Sequence, residues 1–406
     1  MIIQSRVVRF APVAVAAIVV GAFTLAGPLN PPAGPIAGTG KTTQEIFDKV
    51  AESEPRIAIN ATNTPGDANS LFKITQPGSY YLTGNITGEV GKHGIEIASS
   101  DVTINLMGFT LAGVAGSLDG VNVAVTFNQG LCVRNGTVRG WGDEGVDFGT
   151  GGGIGGIVVE VRAIENLGNG IALGSNAVVS GCTTFGNSQS GFLASLGCTI
   201  SNSTAANNLG SGFSLSTSCT VSNCTSYNNG LNGFSGGTAS TLTACTALSN
   251  TQNGFSTGDR CSLQYCTAEF NSMNGILAGS GCTVIDCIAT NSTLNGIQVL
   301  NDCTVRGNLC DTNGFGPGDG AGILVTGGDN VIDANKCSGN DRGIDVNAGG
   351  NLIIKNQCSG NTTNWDIVIS NAVAPIVNAS TNAAVITGNS YAGNLGSTDP
   401  NANFTY

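Results

Sequence analysis

The side chains best suited to chemistry stand at matching positions in the first third of the chain. His93, Asp119 and Glu144 each lie directly before a Gly-Ile or Gly-Val step, and Asp147 lies two residues past the third of these glycines. A histidine beside crowded carboxylates acquires a raised pKa, and neighbouring carboxylates can share a proton or hold Ca²⁺. These four residues are therefore our candidate catalytic set, for general acid–base chemistry on a polar substrate.

A cation and an aromatic ring lie close to this set in the sequence. Arg139 supplies a positive charge, and Trp141 supplies a ring of the kind that stacks on a sugar. We interpret both as candidate substrate-binding residues. The alternative is that the whole group forms solvated corners of a repeat, where any polar residue serves.

A second candidate site lies nearer the C-terminus. Residues 313–320 lengthen one repeat by five residues. Asp319, Asp341 and Asp366 recur near the same turn of consecutive repeats, with Arg342 beside them. Carboxylates about 5 Å apart act as an acid and nucleophile pair or as cation ligands, so the three aspartates are candidate Ca²⁺ ligands. The alternative is an ordinary lengthened loop. Apart from Ca²⁺, we expect no cofactor.

The elements that position these residues follow from an internal repeat. Glycines recur at intervals of 21 residues through the middle of the chain, and each is followed by Ile or Phe. The series continues in both directions with looser spacing and gives thirteen units of 21 to 26 residues. The regular glycines are Gly170, Gly191, Gly212, Gly233, Gly254, Gly275 and Gly296. A fixed period of this length is typical of a solenoid, in which each unit packs only on its neighbours.

The pattern inside one unit distinguishes strands from helices. Apolar and polar residues alternate over a few positions and are then interrupted by Asn or Gly. Alternation broken by turn residues is typical of short strands. The sequence therefore predicts an all-β fold, a parallel β-solenoid of about 13 coils.

Most of the 14 cysteines fall in two columns, seven or twelve residues past each glycine. Asparagines form a third column seventeen residues past the glycines. We predict that the thiols face inward and that the stacked amides hydrogen-bond along their column. Disulfides between neighbouring coils are the alternative, because an exported protein can form them. Zinc is not favoured, because paired Cys-x-x-Cys motifs and a second His are missing. The columns comprise Cys198, Cys219, Cys261, Cys282 and Cys303, then Cys182, Cys224, Cys245, Cys266 and Cys287, then Asn187, Asn208, Asn229, Asn250 and Asn271.

These steps and columns resemble the right-handed parallel β-helix superfamily, the pectin-lyase-like fold of secreted bacterial proteins. The resemblance covers roughly residues 74–370, and its marks include the stretches 76–82 and 102–111. It implies a single-stranded right-handed parallel β-helix. The same fold is found in lyases, hydrolases, epimerases, adhesins and non-catalytic proteins, so the resemblance favours none of these functions. The catalytic motifs of polygalacturonases, pectate lyases and alginate epimerases do not occur here, so no set of catalytic residues is transferred.

The chain ends differ in composition from the repeats. Residues 1–27 combine Arg6 and Arg9 with an apolar run, so we expect a signal peptide there, with an uncleaved anchor as the alternative. Residues 28–70 contain a Pro/Gly spacer and, at 43–50, a pattern that predicts a short helix capping the N-terminal end. The β-helix is expected over 71–374 and a C-terminal cap or tail over 375–406.

The charge balance restricts the partners. The formal net charge is −11, which disfavours nucleic acid and disfavours polyanionic sugars unless divalent cations bridge them. Between residues 166 and 258 there is no Asp, Glu, Lys, Arg or His, so this third is scaffold or a neutral binding surface. No segment after the leader is apolar enough to span a membrane.

Two functional hypotheses remain. The first is an exported protein, secreted, periplasmic or on the cell surface, with a structural or glycan-binding role and no catalytic motif. Its partner would be a polysaccharide or a cell-surface glycan. The second is a polysaccharide-active lyase, hydrolase or epimerase that uses the acidic edge of the N-terminal coils. The sequence favours the first, because the recognised catalytic motifs are missing.

Overall fold

The computed structural model describes residues 42, 45, 49, 55–124, 129–149, 154–315, 320–379 and 397–406. The chain divides into two compact units, Met1–Pro55 and Arg56–Tyr406. The expected signal peptide at 1–27 lies outside the described residues, and so does most of the expected helix at 43–50.

Four residues of the first unit are described, 42, 45, 49 and 55. Glu45 and Lys49 are helical. The Glu45 amide donates to Thr42 Oγ1 at 3.1 Å, and the Thr42 amide donates to the Glu45 carboxylate at 2.8 Å. This reciprocal pair is a capping box, the signature of a helix N-terminus.

The second unit consists of short parallel strands in two sheets. Each strand pairs with its equivalents one coil earlier and one coil later, so that Ile171 pairs with Phe192 and Phe192 pairs with Phe213. Sheet I contains 14 strands, one per coil. They are Ser70–Ile74, His93–Ile97, Val121–Val123, Val146–Asp147, Ile171–Leu173, Phe192–Ala194, Phe213–Leu215, Phe234–Gly236, Phe255–Thr257, Ile276–Ala278, Ile297–Val299, Ala321–Val325, Arg342–Val346 and Thr363–Ile367.

Sheet II contains 28 strands in two columns, which are joined because two long strands, Cys132–Arg139 and Ile157–Ile164, run through both. Column IIa comprises Ile57–Ala58, Gly78–Tyr81, Val102–Asn105, Val178–Ser180, Thr199–Ser201, Thr220–Ser222, Thr241–Thr243, Ser262–Gln264, Thr283–Ile285, Thr304–Arg306, Val331–Asp333, Leu352–Ile354 and Ala372–Val373. Column IIb comprises Ile86–Thr87, Thr110–Ala112, Thr183–Phe185, Thr204–Ala206, Thr225–Tyr227, Thr246–Leu248, Thr267–Glu269, Ile288–Thr290, Leu309–Asp311, Lys336–Ser338, Gln357–Ser359, Ile376–Asn378 and Asn403–Thr405.

The predicted parallel β-helix is confirmed, with about 15 turns instead of 13. One missed coil contains the strand Ser70–Ile74, whose Ser70 and Phe72 pair with His93 and Ile95. Leu71 therefore stands where the next coil has Gly94, so this coil carries no Gly-Ile step. The repeat count depended on that step.

The interior is filled by like residues stacked on like. The rings of Phe192, Phe213, Phe234 and Phe255 stack with centroids 4.6 to 4.8 Å apart and planes within 8° of parallel. All 14 cysteines are free thiols, and only Cys132 among them is not fully buried. The predicted inward orientation of the thiol columns is confirmed, and the disulfide alternative does not occur in this structure.

A buried column of asparagines closes the corner between column IIb and sheet I. The side-chain amide of Asn208 donates to Asn229 Oδ1 at 3.0 Å, and the backbone amide of Asn208 donates to the same oxygen at 3.0 Å. Asn229 makes the same two bonds to Asn250, and its Nδ2 also donates to the Ala205 carbonyl at 3.2 Å. The predicted amide column is therefore confirmed as a hydrogen-bonded ladder, and it satisfies polar groups that the turn buries.

The C-terminal strand is inserted between two coils. Asn403–Thr405 pairs in parallel with Gln357–Ser359 on one side and with Ile376–Asn378 on the other. Asn403 Oδ1 accepts the backbone amide of Asn356 at 2.9 Å, so the last strand continues an asparagine column.

Replacing Asn229 with Ala should destabilise the fold, because both donors on Asn208 lose their acceptor inside the protein. A buried unsatisfied donor costs about 1–3 kcal/mol, so we expect Asn229→Ala to lower the free energy of unfolding by about 3 kcal/mol. Urea denaturation followed by far-UV circular dichroism measures this.

The reciprocal variant is Ser292→Asn. Ser292 replaces Asn in the same column, and its hydroxyl is buried without a hydrogen-bond partner. An Asn there would restore the ladder between Asn271 and Asn313, so we expect the urea midpoint of unfolding to rise. A ladder that matters only for packing would give Asn229→Ala a small loss and Ser292→Asn no gain.

Candidate functional site

Three of the four predicted catalytic residues, His93, Asp119 and Glu144, lie side by side on successive coils. The Gly94 amide donates to the Asp119 carbonyl at 2.9 Å, and the Gly120 amide donates to the Glu144 carbonyl at 3.0 Å. Each coil-starting glycine permits this approach, because a Cβ on Gly94 would meet the Gly120 carbonyl oxygen at 2.5 Å. The glycines therefore fix the preceding residues His93, Asp119 and Glu144 in one row.

The side chains of His93 and Asp119 are in direct contact in this row. The His93 Nδ1 atom lies 3.1 Å from Asp119 Oδ2, and the side chains are 17% and 7% exposed. The amide nitrogen of Asn122 lies 2.9 Å from His93 Nε2. The other Asp119 oxygen accepts the Glu144 backbone amide at 3.0 Å. His93 and Asp119 are thus held in a fixed orientation by groups from three coils.

Burial shifts the two carboxyl groups of this row in the same direction. It raises the pKa of Asp119 above its ordinary 3.8, and the hydrogen bond from His93 only partly opposes the shift. Burial and a hydrogen bond with Asp143 raise the pKa of Glu144 above its ordinary 4.5. Glu144 therefore holds its proton more tightly than an exposed carboxyl group would.

A lysine that the sequence analysis missed lies beside the row, in line with Glu96 of the following coil. Lys73 Nζ lies 2.7 Å from a Glu96 carboxylate oxygen and 2.8 Å from Asp67 Oδ2. These hydrogen bonds raise the pKa of Lys73 and hold the pKa of Asp67 well below its usual range. Lys73 lies in the coil that has no Gly-Ile step, so the repeat did not reveal its alignment with Glu96.

A groove of about 250 Å³ opens beside the row. Glu144 and Asp147 form its acidic end, and Ala172, Leu173 and Leu193 form an apolar wall. Asp147 is 2% exposed as a residue, and its Oδ1 accepts the Gly149 amide at 2.7 Å. The groove therefore combines carboxylate acceptors with apolar surface.

One group of carboxylates in the described part of the chain has the spacing of a cation site. Asp119, Asp143 and Glu144 each offer a ligand atom within 4.8 Å of the others. Ca²⁺ takes 6–8 oxygen ligands, so water or substrate oxygens would have to supply the rest. Asp119 is also paired with His93, so Ca²⁺ at this site stays a prediction.

The prediction for Trp141 is wrong. Its side chain is fully buried, and its indole nitrogen donates to the Leu111 carbonyl at 3.2 Å. The ring lies against Gly88 and Gly94, where a Cβ would meet it within 3.0 Å. A ring enclosed in the core presents no face to a sugar.

Arg139 lies in sheet II, whereas the row lies at sheet I. It ends the strand Cys132–Arg139 and pairs with Glu165 at 2.7 Å, and both side chains are more than half exposed. Neither its strand nor its pairing with Glu165 therefore brings Arg139 to the row.

Of the predicted alignment of Asp319, Asp341 and Asp366, the part that concerns Asp341 and Asp366 is also wrong. Asp319 lies outside the described residues. Asp341 stands next to the strand Arg342–Val346, whereas Asp366 pairs with Asp345 inside the neighbouring strand. The error arose because Asn364 stands where the preceding coil has Gly343, so this coil carries no Gly-Ile step to mark its register.

Arg342 neutralises the carboxylates of this second site. It lies 3.1 Å from Asp366 Oδ2 and 3.2 Å from Asp345 Oδ2. A cation that bound Asp366 would have to displace this guanidinium, which makes Asp366 a poor Ca²⁺ ligand.

The chain matches no protein-family model and no curated protein. Solved structures with similar strand arrangements are distant. The A-module of the Azotobacter vinelandii mannuronan C-5 epimerase AlgE4 is 16% identical, with 73% of this chain and 91% of that chain covered and a TM-score of 0.45. The tailspike receptor-binding protein of bacteriophage Det7 is 11% identical, with 85% and 80% covered and a TM-score of 0.48. A GH87 alpha-1,3-glucanase catalytic domain with nigerose is 11% identical, with 81% and 67% covered and a TM-score of 0.37.

At these identities and TM-scores, the similarities carry no argument about function. The strand pairing itself shows that the chain is a parallel β-helix. Within the described residues, no helix has the length and apolar character needed to cross a bilayer.

The raised pKa of Asp119 has a consequence for stability. A carboxyl group that holds its proton more tightly in the fold stabilises the fold fully below its unfolded pKa, and this contribution is lost as the pH rises through the folded pKa. We expect the free energy of unfolding to contain a contribution that falls as the pH rises above 3.8. Asp119→Asn should remove that contribution.

Denaturation midpoints at a series of pH values measure the effect. Asp302→Asn, at an exposed carboxylate, is the control and should leave the pH dependence unchanged. Identical pH profiles for Asp119→Asn and the wild-type protein would contradict the assignment of Asp119.

Proposed function

We propose that the chain is an exported glycan-binding protein and that the glycan contacts the groove beside the His93 row. The observation that carries the proposal is the composition of the groove, where Glu144 and Asp147 face an apolar wall that includes Leu193. A sugar presents hydroxyl groups at its rim and C–H groups on its faces. Buried carboxylates accept hydrogen bonds from the former, and apolar side chains pack against the latter.

The surface beyond the groove supports a neutral ligand. The outward side chains of sheet I continue from Ala172 through Leu193, Ser214 and Ser235 to Ser256, in register and without an ionisable group. A polyanion would meet the carboxylates at the groove and a chain of net charge −11. The proposed ligand is therefore a neutral or weakly cationic glycan.

Export is part of the proposal and rests on the leader pattern of residues 1–27. An extracellular or envelope location would bring the groove into contact with cell-surface polysaccharide. A purely structural role at the envelope would need the same fold but would give the groove no ligand.

Leu193→Asp tests the role of the groove. Leu193 is 40% exposed, and an aspartate there would add a charge to the apolar wall. We expect the affinity for a glycan selected on an array to fall by at least about tenfold, or about 1.4 kcal/mol. Isothermal titration calorimetry measures the affinity.

The matched control is Leu352→Asp. Leu352 is also 40% exposed, but it lies in column IIa on the other sheet. The Leu352→Asp variant should bind the glycan with the affinity of the wild-type protein. Absence of binding to every glycan on the array would contradict the proposed function, and equal losses in both variants would contradict the groove as its site.

The second candidate function is acid–base catalysis on the bound glycan. It is favoured by one observation: Glu144 lines the groove and shares a hydrogen bond with Asp143, which raises the Glu144 pKa. A carboxyl group whose pKa is raised holds the proton that a general acid donates, and a neighbouring carboxylate can act as base or nucleophile.

Turnover assays separate binding from catalysis. If the groove is catalytic, the protein should release reducing ends or unsaturated products from its glycan, and Glu144→Gln should lower kcat by about 10²-fold or more while the glycan still binds. Binding without any product by the wild-type protein would contradict catalysis and leave the binding function intact.

A further inference from the structure

Thiols occupy consecutive coils of the core in separate columns. The longest column contains four, Cys224, Cys245, Cys266 and Cys287, and each is at most 1% exposed. Neighbouring thiols in this column lie within hydrogen-bonding reach of one another. Shorter runs contain Cys261, Cys282 and Cys303, then Cys310, Cys337 and Cys358, then Cys198 and Cys219.

We propose that these columns bind the soft cation Cu(I), with each ion held between a separate pair of stacked thiolates on neighbouring coils. Soft thiolate ligands favour Cu(I) among the metals available to proteins. A single column offers each ion one sulfur above and one below, which suits linear coordination. It does not offer the four converging ligands of a tetrahedral zinc site.

The spacing of the coils fits this coordination. The stacked phenylalanine rings place consecutive coils 4.6 to 4.8 Å apart. Two metal–sulfur bonds of about 2.3 Å each, placed end to end, span about 4.6 Å. A two-coordinate ion therefore fits between thiolates on neighbouring coils without movement of the backbone.

The charge of each complex is small. Two thiols and one Cu(I) give a bis-thiolate complex of charge −1 and release two protons. A thiolate sulfur bonded to its Cβ cannot bind two ions in line above and below it, so the longest column holds two separate complexes, one on Cys224 and Cys245 and one on Cys266 and Cys287. Each complex buries a single negative charge.

Backbone amides donate hydrogen bonds to the sulfur atoms and would stabilise that charge. The Cys261 amide donates to Cys282 Sγ at 3.3 Å, and the Ser240 amide donates to Cys261 Sγ at 3.4 Å. Hydrogen bonds of this kind strengthen when the sulfur becomes a thiolate. In the metal-free protein the thiols are also satisfied, since Cys261 Sγ donates to the Gly237 carbonyl at 3.1 Å.

The burial of the sulfurs determines how the metal would enter. With thiols at most 2% exposed in these columns, an ion reaches them only while the chain folds or opens locally. The experiment therefore refolds the reduced full-length chain under anaerobic conditions with Cu(I) held by a chromogenic chelator. Copper transferred from the chelator, counted per chain, and the melting temperature are the two measurements.

Two double variants separate stacked thiols from thiols as such. Cys245→Ser with Cys266→Ser removes every adjacent pair from the longest column. Cys132→Ser with Cys182→Ser also removes two thiols but no adjacent pair, because the column neighbour of Cys182 is Ser203. Serine fits the core at these positions, since Ser203 and Ser240 already occupy the thiol columns and are 1% exposed.

We expect the wild-type protein to take up several Cu(I) ions per chain and to melt at a higher temperature when loaded. The first double variant should lose the copper of its column, and the second should retain the wild-type amount. No copper uptake on refolding, or equal losses in both variants, would overturn the proposal. Formation of disulfides in preference to copper uptake would also overturn it.

Discussion

The constraint on which the structure depends is that each coil must satisfy the backbone and side-chain polar groups of the coil before it. A solenoid buries its corners, and a buried amide without an acceptor is costly. The asparagine column solves this at the corner between column IIb and sheet I, where Asn187, Asn208 and Asn229 pass the same bonds from coil to coil. The arrangement works only if equivalent residues meet, so it imposes a fixed register, which the longer step from Asn313 to Asn340 also keeps.

The same constraint creates the candidate site. The glycine that starts each coil must let the carbonyl of the next coil approach, as the Gly120 oxygen approaches Gly94. Residues directly before these glycines are therefore brought into one row whatever their chemistry. In the middle coils the row holds amides such as Asn253 and Asn274, which bond to each other. In the N-terminal coils the positions carry His93, Asp119 and Glu144, so one backbone arrangement supports both a neutral surface and an ionisable site.

The sequence predicted the features that depend on a constant number of residues between equivalent positions. The parallel β-helix, the buried thiols, the asparagine ladder and the alignment of His93 with Asp119 all come from counting residues between glycines. It failed where a coil lacks its Gly-Ile step, as with the coil that holds Lys73 and with the register of Asp366. The prediction that Trp141 binds substrate was wrong for another reason. Whether a ring at a corner points inward depends on the space left by Gly88 and Gly94, which are distant in sequence.

The central claim, that coil length fixes the fold, is tested most directly by deleting one coil. Removing residues 213–233 joins Gly212 to Phe234 and takes out 21 residues, whereas removing 213–232 takes out one residue fewer. The first deletion should unfold cooperatively near the wild-type urea midpoint, because every column stays in register across the junction. The second should unfold at a much lower urea concentration, because one residue too many remains between equivalent positions. Equal midpoints for the two deletions would contradict the account.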